Sequence, residues 1–382
     1  MIKKLLNESL ISVYNNYNIN EGYEDHPEAK AKCLTPQALA DDMNKELGRI
    51  NTVAKDRVSR GVKDVIYHKK QIQSVINQEG GLDVDKFKTL ITTPPKLIFD
   101  KNPKMEKSDK GKSQFTVNTG LPAISGIVYD ESDGQFKHIN TCPGAGSCQL
   151  VCYARKGFYG MNDGKILKLI RRLNLLWNNP EEYYHMIMDE LEPIAVKLKR
   201  QGRRSGEVEQ LVIRWNDAGD FFSETYFNIA KKVTEDLLSE GYDVKSYAYT
   251  KQAKFVNLAS DDFIMNFSKG SAPKELKQVD LEKVKYSDIV PKELFKQIFK
   301  WKGPHAVKDE NGLPTFEDGG KEKLKQIISK EYGVTLNRLK YQFELPNEEG
   351  EKFKYDVIVL PTGDSDIGAQ RNDVQKTFLL VH

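Results

Sequence analysis

Three of the four cysteines in this chain, Cys142, Cys148 and Cys152, lie within eleven residues of one another. Five residues separate the first two and three separate the last two, and Gly144 and Gly146 lie in the first interval. Glycines allow a loop to close tightly around a small object with backbone N–H groups directed inward. In a reducing compartment, nearby thiolates favour a soft metal ion or an iron–sulfur cluster over a disulfide. The loop therefore predicts a metal or cluster site.

The spacing favours an iron–sulfur cluster, with [4Fe–4S] as the expected form, and leaves zinc as the alternative. Zinc sites usually take their ligands from C-x-x-C pairs or add a nearby histidine. His138 precedes the loop, on the side away from Cys152. Cys33 is the candidate for a fourth ligand; if it is instead an unrelated cysteine, one iron stays open to a substrate or cofactor. Three buried thiols without any ligand remain the simplest alternative.

Composition sets limits on the class of protein. The chain has 382 residues, of which 39% are hydrophobic and 30% charged, which is typical of a globular protein. The net charge of +3 is too small to argue for nucleic-acid binding without a local basic patch. The first residues are too polar for a signal peptide, and the sequence contains no apolar run that predicts a membrane span. A cytoplasmic protein without membrane partners is therefore expected.

The elements that would position the cysteine loop follow it in the sequence. Short apolar segments alternate with helical ones, a pattern that predicts parallel βα units. The predicted strands are 211–215, 244–249, 263–267, 355–360 and 378–381, and the predicted helices between them are 223–239 and 251–259. The fold class is therefore α/β, with a partial, mostly parallel, barrel-like βα sheet.

Two helical regions accompany this sheet. Residues 1–95 are predicted as an N-terminal helical region, with helices at 1–20, 35–78 and 84–92. Residues 96–382 form the βα domain, with a peripheral Lys/Glu-rich helical insertion at about 270–350 and helices near 273–300 and 318–332. Between them we predict a loop with one short strand at 96–118, a hairpin at 124–139, and a helix over 165–200 that is interrupted at Pro180 and Pro193.

Polar residues follow the predicted strands at their carboxyl ends, where parallel βα folds bind ligands. Asp217, Ala218, Gly219 and Asp220 follow the first strand and are candidates for cofactor binding. Candidates for catalysis are Asp220, Tyr249 and Lys251. Each has a structural alternative: the aspartates can cap a helix, and a lysine at a strand end can simply be solvated. The later aspartates, Asp364 and Asp366, are turn formers or oxygen ligands for Mg²⁺.

Five segments together resemble the gene product 88 family of bacteriophages. They are NPKMEKS at 102–108, GLPA at 120–123, CPGAGSCQLVCYA at 142–154, RWNDAGDFFS at 214–223 and YAYTK at 247–251. They occur in the family's order and cover roughly residues 97–270. The resemblance implies a phage or mobile-element origin, and hence a host cytoplasm, but little chemistry.

A weaker resemblance is to radical S-adenosylmethionine enzymes. Those enzymes hold a [4Fe–4S] cluster with three cysteines and bind S-adenosylmethionine at the fourth iron, near a Gly-Gly-Glu-like motif. The resemblance implies that Ala218, Gly219 and Asp220 correspond to the Gly-Gly-Glu-like motif near the bound cofactor. This chain departs from the pattern: the cysteine gaps are five and three rather than three and two, and Tyr153 follows the last cysteine instead of preceding it.

Three functions are consistent with these observations. The first is an iron–sulfur enzyme, radical S-adenosylmethionine-like or otherwise, acting on a small molecule. The second is a non-enzymatic protein that binds nucleic acid or serves as a phage accessory or structural protein, with the metal stapling the fold. Basic pairs such as Arg171 and Arg172 would supply its patch. The third is a Mg²⁺-dependent phosphoesterase or nuclease that uses the aspartates. Substrate and oligomeric state are not readable from the sequence.

Overall fold

The computed structural model describes most of the central part of the chain. The described residues are 31–52, 69–99, 103–109, 113–146, 148, 152, 154, 163–206, 209–290, 335–338, 342–346, 352–358, 366, 369–370, 372 and 374–380. The predicted helices at 1–20 and 318–332 and the candidate Asp364 lie outside them. No helix of the described part is both long and apolar enough to cross a membrane.

Twelve strands belong to two sheets in the described residues. They are β1 Lys32–Leu34, β2 Gln114–Asn118, β3 Ser125–Asp130, β4 Gln135–Asn140, β5 Gln210–Trp215, β6 Val244–Thr250, β7 Phe263–Ser268, β8 Tyr286–Val290, β9 Thr335–Arg338, β10 Gln342–Pro346, β11 Lys352–Ile358 and β12 Val374–Leu380. The larger sheet has the order β2-β5-β6-β7-β8-β12-β11-β10-β9, and the smaller one has the order β1-β4-β3.

The larger sheet is mostly parallel, as predicted. Every pairing from β2 through to β11 is parallel, and only β10 and β9 run antiparallel to their neighbours. All five strands predicted after the cysteine loop overlap strands of this sheet, namely β5, β6, β7, β11 and β12. Strands that are consecutive in the sequence lie side by side from β5 to β8, which is also the order of a βα barrel. Among the described residues, however, no pairing joins β2 to the far edge, so closure into a barrel is not confirmed.

Nine helices accompany the sheets in the described part. They are α1 Pro36–Thr52, α2 Lys69–Val75, α3 Val84–Thr92, α4 Pro103–Asp109, α5 Asp163–Asn178, α6 Pro180–Ser205, α7 Glu224–Ser239, α8 Ala253–Val256 and α9 Pro273–Leu276. Side-chain oxygens of Asn179 and Ser223 accept backbone N–H groups at the starts of α6 and α7. The predicted interruption at Pro180 is therefore the start of a new helix.

Helix α6 continues through Pro193, where the sequence predicts a second break. Its buried side chains keep one helical face on both sides of the proline and pack on the sheet. They are Tyr183, Ile187, Leu191, Ala195 and Leu198. Packing of this face outweighs the loss of one backbone hydrogen bond at the proline.

The N-terminal helices share an apolar core with the hairpin of β3 and β4. Thr35 caps α1 through its Oγ1, which accepts the Ala38 N–H at 3.1 Å. Leu39, Phe87 and Phe136 belong to one buried cluster that spans α1, α3 and β4. The apolar core of the described N-terminal helices is thus completed by residues that follow them in the chain.

The structure corrects two further sequence interpretations. Residues 273–300 are not one helical segment, because the one-turn helix α9 is followed by β8, which lies inside the large sheet between β7 and β12. The loop predicted at 96–118 contains its strand, β2, but also the helix α4, which packs on β2. Part of the region expected to be a peripheral helical insertion is therefore central sheet.

Candidate functional site

The cysteine loop lies against the carboxyl ends of β6 and β7. Ala145 forms an isolated antiparallel bridge with Ser271, just beyond β7. The backbone N–H groups of Gly146 and Cys148 both donate to the carbonyl oxygen of Gly270, at 3.0 and 3.2 Å. These backbone contacts fix the loop at the edge of the sheet where parallel βα folds bind their ligands.

Two glycines allow this close approach. A Cβ on Gly144 would lie far inside van der Waals contact with the carbonyl oxygen of Lys251. A Cβ on Gly146 would do the same against the carbonyl of Ser271. Both obstacles are backbone atoms, which cannot rotate away as a flexible side chain can. The glycines predicted to fold the loop around a small object therefore also press it onto the sheet.

Cys142 is buried, with 6% of its surface exposed. Its Sγ accepts the backbone N–H of Ile124 at 3.3 Å, and its own N–H donates to Asn140 Oδ1 at 2.9 Å. Ile124 has φ +68°, a conformation that is strained for a β-branched residue. The protein thus holds a strained backbone position at the N–H group that faces this thiol.

Asp220 and Lys251 lie together beside the thiols. Lys251 Nζ is 3.8 Å from Asp220 Oδ2, and the Lys251 backbone N–H donates to the same oxygen at 2.8 Å. The other carboxylate oxygen accepts the N–H of Phe221 at 2.8 Å. Asp220 is fully buried. Because its carboxylate contacts Lys251 at the end of β6, it connects the end of β5 to that strand and anchors Lys251.

Burial and charge act on each group of this cluster. Burial raises the pKa of Cys142 far above its ordinary range and that of Cys148 to about 11, although the Lys251 ammonium opposes both shifts. Burial also raises the pKa of Asp220. Burial lowers the pKa of Lys251, but Asp220 and the three thiols outweigh it and raise that pKa overall. Cys142, Cys148, Cys152, Asp220 and Lys251, which we call the sulfur site, are thus one electrostatic unit.

The side chains of the sulfur site do not converge on a single ion. Within the described residues, no three His, Cys, Asp or Glu side chains are placed to hold one metal ion as they stand. Each cysteine of a [4Fe–4S] cluster binds a different iron, so its ligands need not meet at one point. The donor set, three thiols with backbone N–H groups beside them, has the chemistry that such a cluster uses.

Cys33 lies elsewhere. It is exposed on β1 and pairs with Lys137 of β4, five residues before Cys142. At about 3.4 Å per residue of extended chain, that separation amounts to roughly 17 Å. The structure does not bring Cys33 to the sulfur site.

Tyr249 and Asp217 belong to a second polar cluster, centred on Arg214. Arg214 Nη1 lies 3.0 Å from Asp217 Oδ1 and 3.2 Å from Asp366 Oδ2. The hydroxyls of Tyr247 and Tyr249 donate to Asp366 at 2.9 and 3.2 Å. We call these five residues the arginine network. Its two carboxylates already bind a guanidinium, so Mg²⁺ would have to displace that partner to use them.

The arginine network also attaches distant segments to the sheet. Arg214 on β5 pairs in register with Tyr247 on β6, so both side chains lie on the same face of the sheet. Asp366 comes from the segment before β12, and its backbone N–H donates to Ser108 Oγ of α4 at 2.8 Å. Three of the family-like motifs therefore meet around one buried aspartate.

The remaining predicted site residues contact other segments of the chain. Ala218 is buried, and its carbonyl accepts the N–H of Leu121 at 2.9 Å. Gly219 has φ +79° and packs against the same segment, so these two residues hold the connection after β2. Arg172 is fully buried and donates to the Lys96 carbonyl, which removes it from the predicted basic patch.

Sequence reasoning missed the roles of Arg214 and Tyr247. A signal was present, because Arg214 occurs within an otherwise apolar segment predicted as a buried strand. A charge in such a position needs a buried partner of opposite charge. The sequence does not reveal which carboxylates pair with Arg214, since one of them, Asp366, is 152 residues away in the chain.

One comparison with known proteins gives a match. The model of the family described as Gene product 88 matches residues 96–331, which is more than half of the chain. No curated protein and no solved structure matches the chain, and nothing in the comparisons supports the weaker resemblance to radical S-adenosylmethionine enzymes. The matched residues include the cysteine loop, the sulfur site and most of the arginine network. The chain therefore belongs to the gene product 88 family.

Proposed function

We propose that this protein binds an iron–sulfur cluster through Cys142, Cys148 and Cys152 and uses it in an enzymatic reaction at the carboxyl end of the sheet. The observation that carries the proposal is the docking of the cysteine loop on β6 and β7 beside the ion pair of Lys251 with the buried Asp220. A loop that only stapled the fold would not need an ion pair beside its thiols.

The protein offers three thiols at this position. Because Cys33 is exposed on another sheet, one iron of a [4Fe–4S] cluster would have no cysteine ligand. When bound, such a cluster supplies electron transfer and an open coordination position for a substrate or cofactor. S-Adenosylmethionine is the first cofactor to test there, and zinc is the alternative occupant. A reducing cytoplasm, which we propose for this protein, would keep the thiols available.

Anaerobic purification followed by iron, sulfide and zinc analysis tests the proposal directly. We expect about four irons and four sulfides per chain in the wild-type protein, as for one [4Fe–4S] cluster. Cys142→Ala, Cys148→Ala and Cys152→Ala should each lose most of the cluster. Cys33→Ala is the matched control, because it removes an exposed thiol from the other sheet and should retain full iron content. Zinc instead of iron, or iron loss in the Cys33 variant, would contradict the proposal.

A second measurement separates an enzyme from a metal-stapled protein. S-Adenosylmethionine is added to the loaded, reduced protein, and the electron paramagnetic resonance spectrum is recorded with and without it. Binding at an open iron should change the spectrum, and cleavage should release 5′-deoxyadenosine. An unchanged spectrum with no product would exclude this cofactor. If the cluster is also unaffected by chelators and small-molecule ligands, the result would favour a non-enzymatic protein in which the metal only stabilises the fold.

A further inference from the structure

Lys251 is held beside the cysteine loop, and the proposed function does not assign it a role of its own. We propose that its ammonium group raises the reduction potential of the cluster by offsetting the negative charge of the thiolates. The inference rests on the proposed function, since it requires a cluster on the three cysteines. It gives Lys251 an electrostatic, positioning role.

The structure holds Lys251 from two sides. Its backbone N–H and its ammonium both contact Asp220, and its carbonyl lies against Gly144 of the cysteine loop. Its side chain is 17% exposed, so water screens its charge only partly. The lysine therefore remains beside the thiols as a fixed, mostly desolvated cation.

Asp220 does not cancel this charge completely. Its carboxylate accepts the backbone N–H groups of Phe221 and Lys251, and its Oδ2 lies 3.8 Å from the Lys251 ammonium, which is longer than a direct hydrogen bond. The nearest thiol-bearing loop residues, by contrast, present negative charge to Lys251 once they bind metal. Lys251 thus faces two negative groups. The charge of the Asp220 carboxylate is constant, whereas the charge of the cluster with its thiolates changes with its oxidation state.

Charge balance gives the sign of the effect. Three thiolates on an oxidised [4Fe–4S]²⁺ core carry a net charge of −1, and one electron from an external reductant makes it −2. A nearby cation stabilises the more negative state more strongly, and low local polarity increases the difference. Lys251 should therefore favour the reduced cluster, and its removal should lower the reduction potential.

The test is a redox titration of the loaded full-length protein, followed by electron paramagnetic resonance. Lys251→Met removes the charge, Lys251→Arg keeps it, and Lys254→Met removes an exposed lysine that pairs with Glu224 at the protein surface. We expect Lys251→Met to lower the ratio of reduced to oxidised cluster about tenfold at the wild-type midpoint, a shift of about 59 mV for one electron. In Lys251→Arg this ratio should stay within about twofold of the wild-type value, and in Lys254→Met it should equal the wild-type value.

The outcomes separate this inference from the proposed function. A wild-type protein without a cluster would refute both. Full iron content in every variant with an unchanged midpoint would overturn the inference alone. If Lys251→Met loses its cluster, Lys251→Gln, which keeps a donor group, is titrated instead and should show the same shift. If Lys251→Met and Lys251→Gln lose the cluster but Lys251→Arg retains it, the result would support a requirement for the positive charge. Loss of the cluster in all three variants would overturn the inference.

Discussion

The sulfur site and the arginine network lie near the same end of one sheet but are organised differently. In the arginine network, Arg214 meets two carboxylates and Asp366 accepts two tyrosine hydroxyls, so protein groups satisfy protein groups. In the sulfur site, backbone contacts fix the loop, and the Lys251 ammonium interacts electrostatically with all three cysteines. The comparison indicates that the first cluster holds the fold together, whereas the second is where we propose that an external ligand binds.

Removing Arg214 should have the largest effect on stability. Arg214→Met leaves the buried Asp217 and Asp366 without their shared guanidinium, and breaking a buried pair in this way costs about 3–5 kcal/mol. Urea unfolding at neutral pH measures the loss. Lys232→Met, which removes an exposed lysine paired with Asp236, is the control and should cost less than about 1 kcal/mol. Equal losses in the two variants would mean that the network does not stabilise the fold.

Closing the space at Gly144 should affect the sulfur site more than the rest of the fold. Gly144→Ala places a methyl group against the Lys251 carbonyl, and we expect a cost of about 1–3 kcal/mol together with reduced iron loading. Gly48→Ala is the matched control, because nothing lies within 4 Å of its Cβ position in α1. There, alanine should stabilise the helix by up to about 1 kcal/mol. Full iron loading of Gly144→Ala would show that the loop does not need to dock.

Removing single hydroxyls from the arginine network should have the smallest effects. Tyr247→Phe loses a hydrogen bond to Asp366 of 2.9 Å and should cost about 1–2 kcal/mol, because the acceptor is a buried carboxylate. Tyr249→Phe loses a longer bond, 3.2 Å, and should cost less. Thermal unfolding of both variants checks the order. Iron loading should stay at the wild-type level in both, and a loss in either would mean that the two clusters are not separate.

The fold was predictable wherever local pattern and tertiary packing agree. The helix at 84–92 and the strands β5, β6 and β7 follow from hydrophobic pattern and capping residues. β8 was missed because its segment, YSDIV in a lysine-rich stretch, has little apolar signal of its own. It becomes a strand because β7 and β12 pair with it on both sides. Long-range pairing of this kind leaves no local trace in the sequence.

Sequence reasoning predicted that the cysteine loop, Asp220 and Lys251 lie near one another, but it did not predict the partners of the other candidates. The cysteine spacing identified the loop, and the polar strand ends identified Asp220 and Lys251. The expectation that Tyr249 and Asp217 lie with them came from the same reasoning, but their nearest partners are Asp366 and Arg214. Strand ends share an edge of the sheet, yet the face on which each side chain lies depends on register and on segments far away in the chain.

The position of β12 has a consequence for how the chain is made. β12 lies between β8 and β11, although both are synthesised before it. Until residues 374–380 leave the ribosome, two strands of the future sheet interior expose unpaired backbone groups. Exposed edges of this kind can pair with other chains. We therefore expect the nascent protein to depend on chaperones, or on prompt synthesis of β12, more than its strand order from β5 to β8 alone would require.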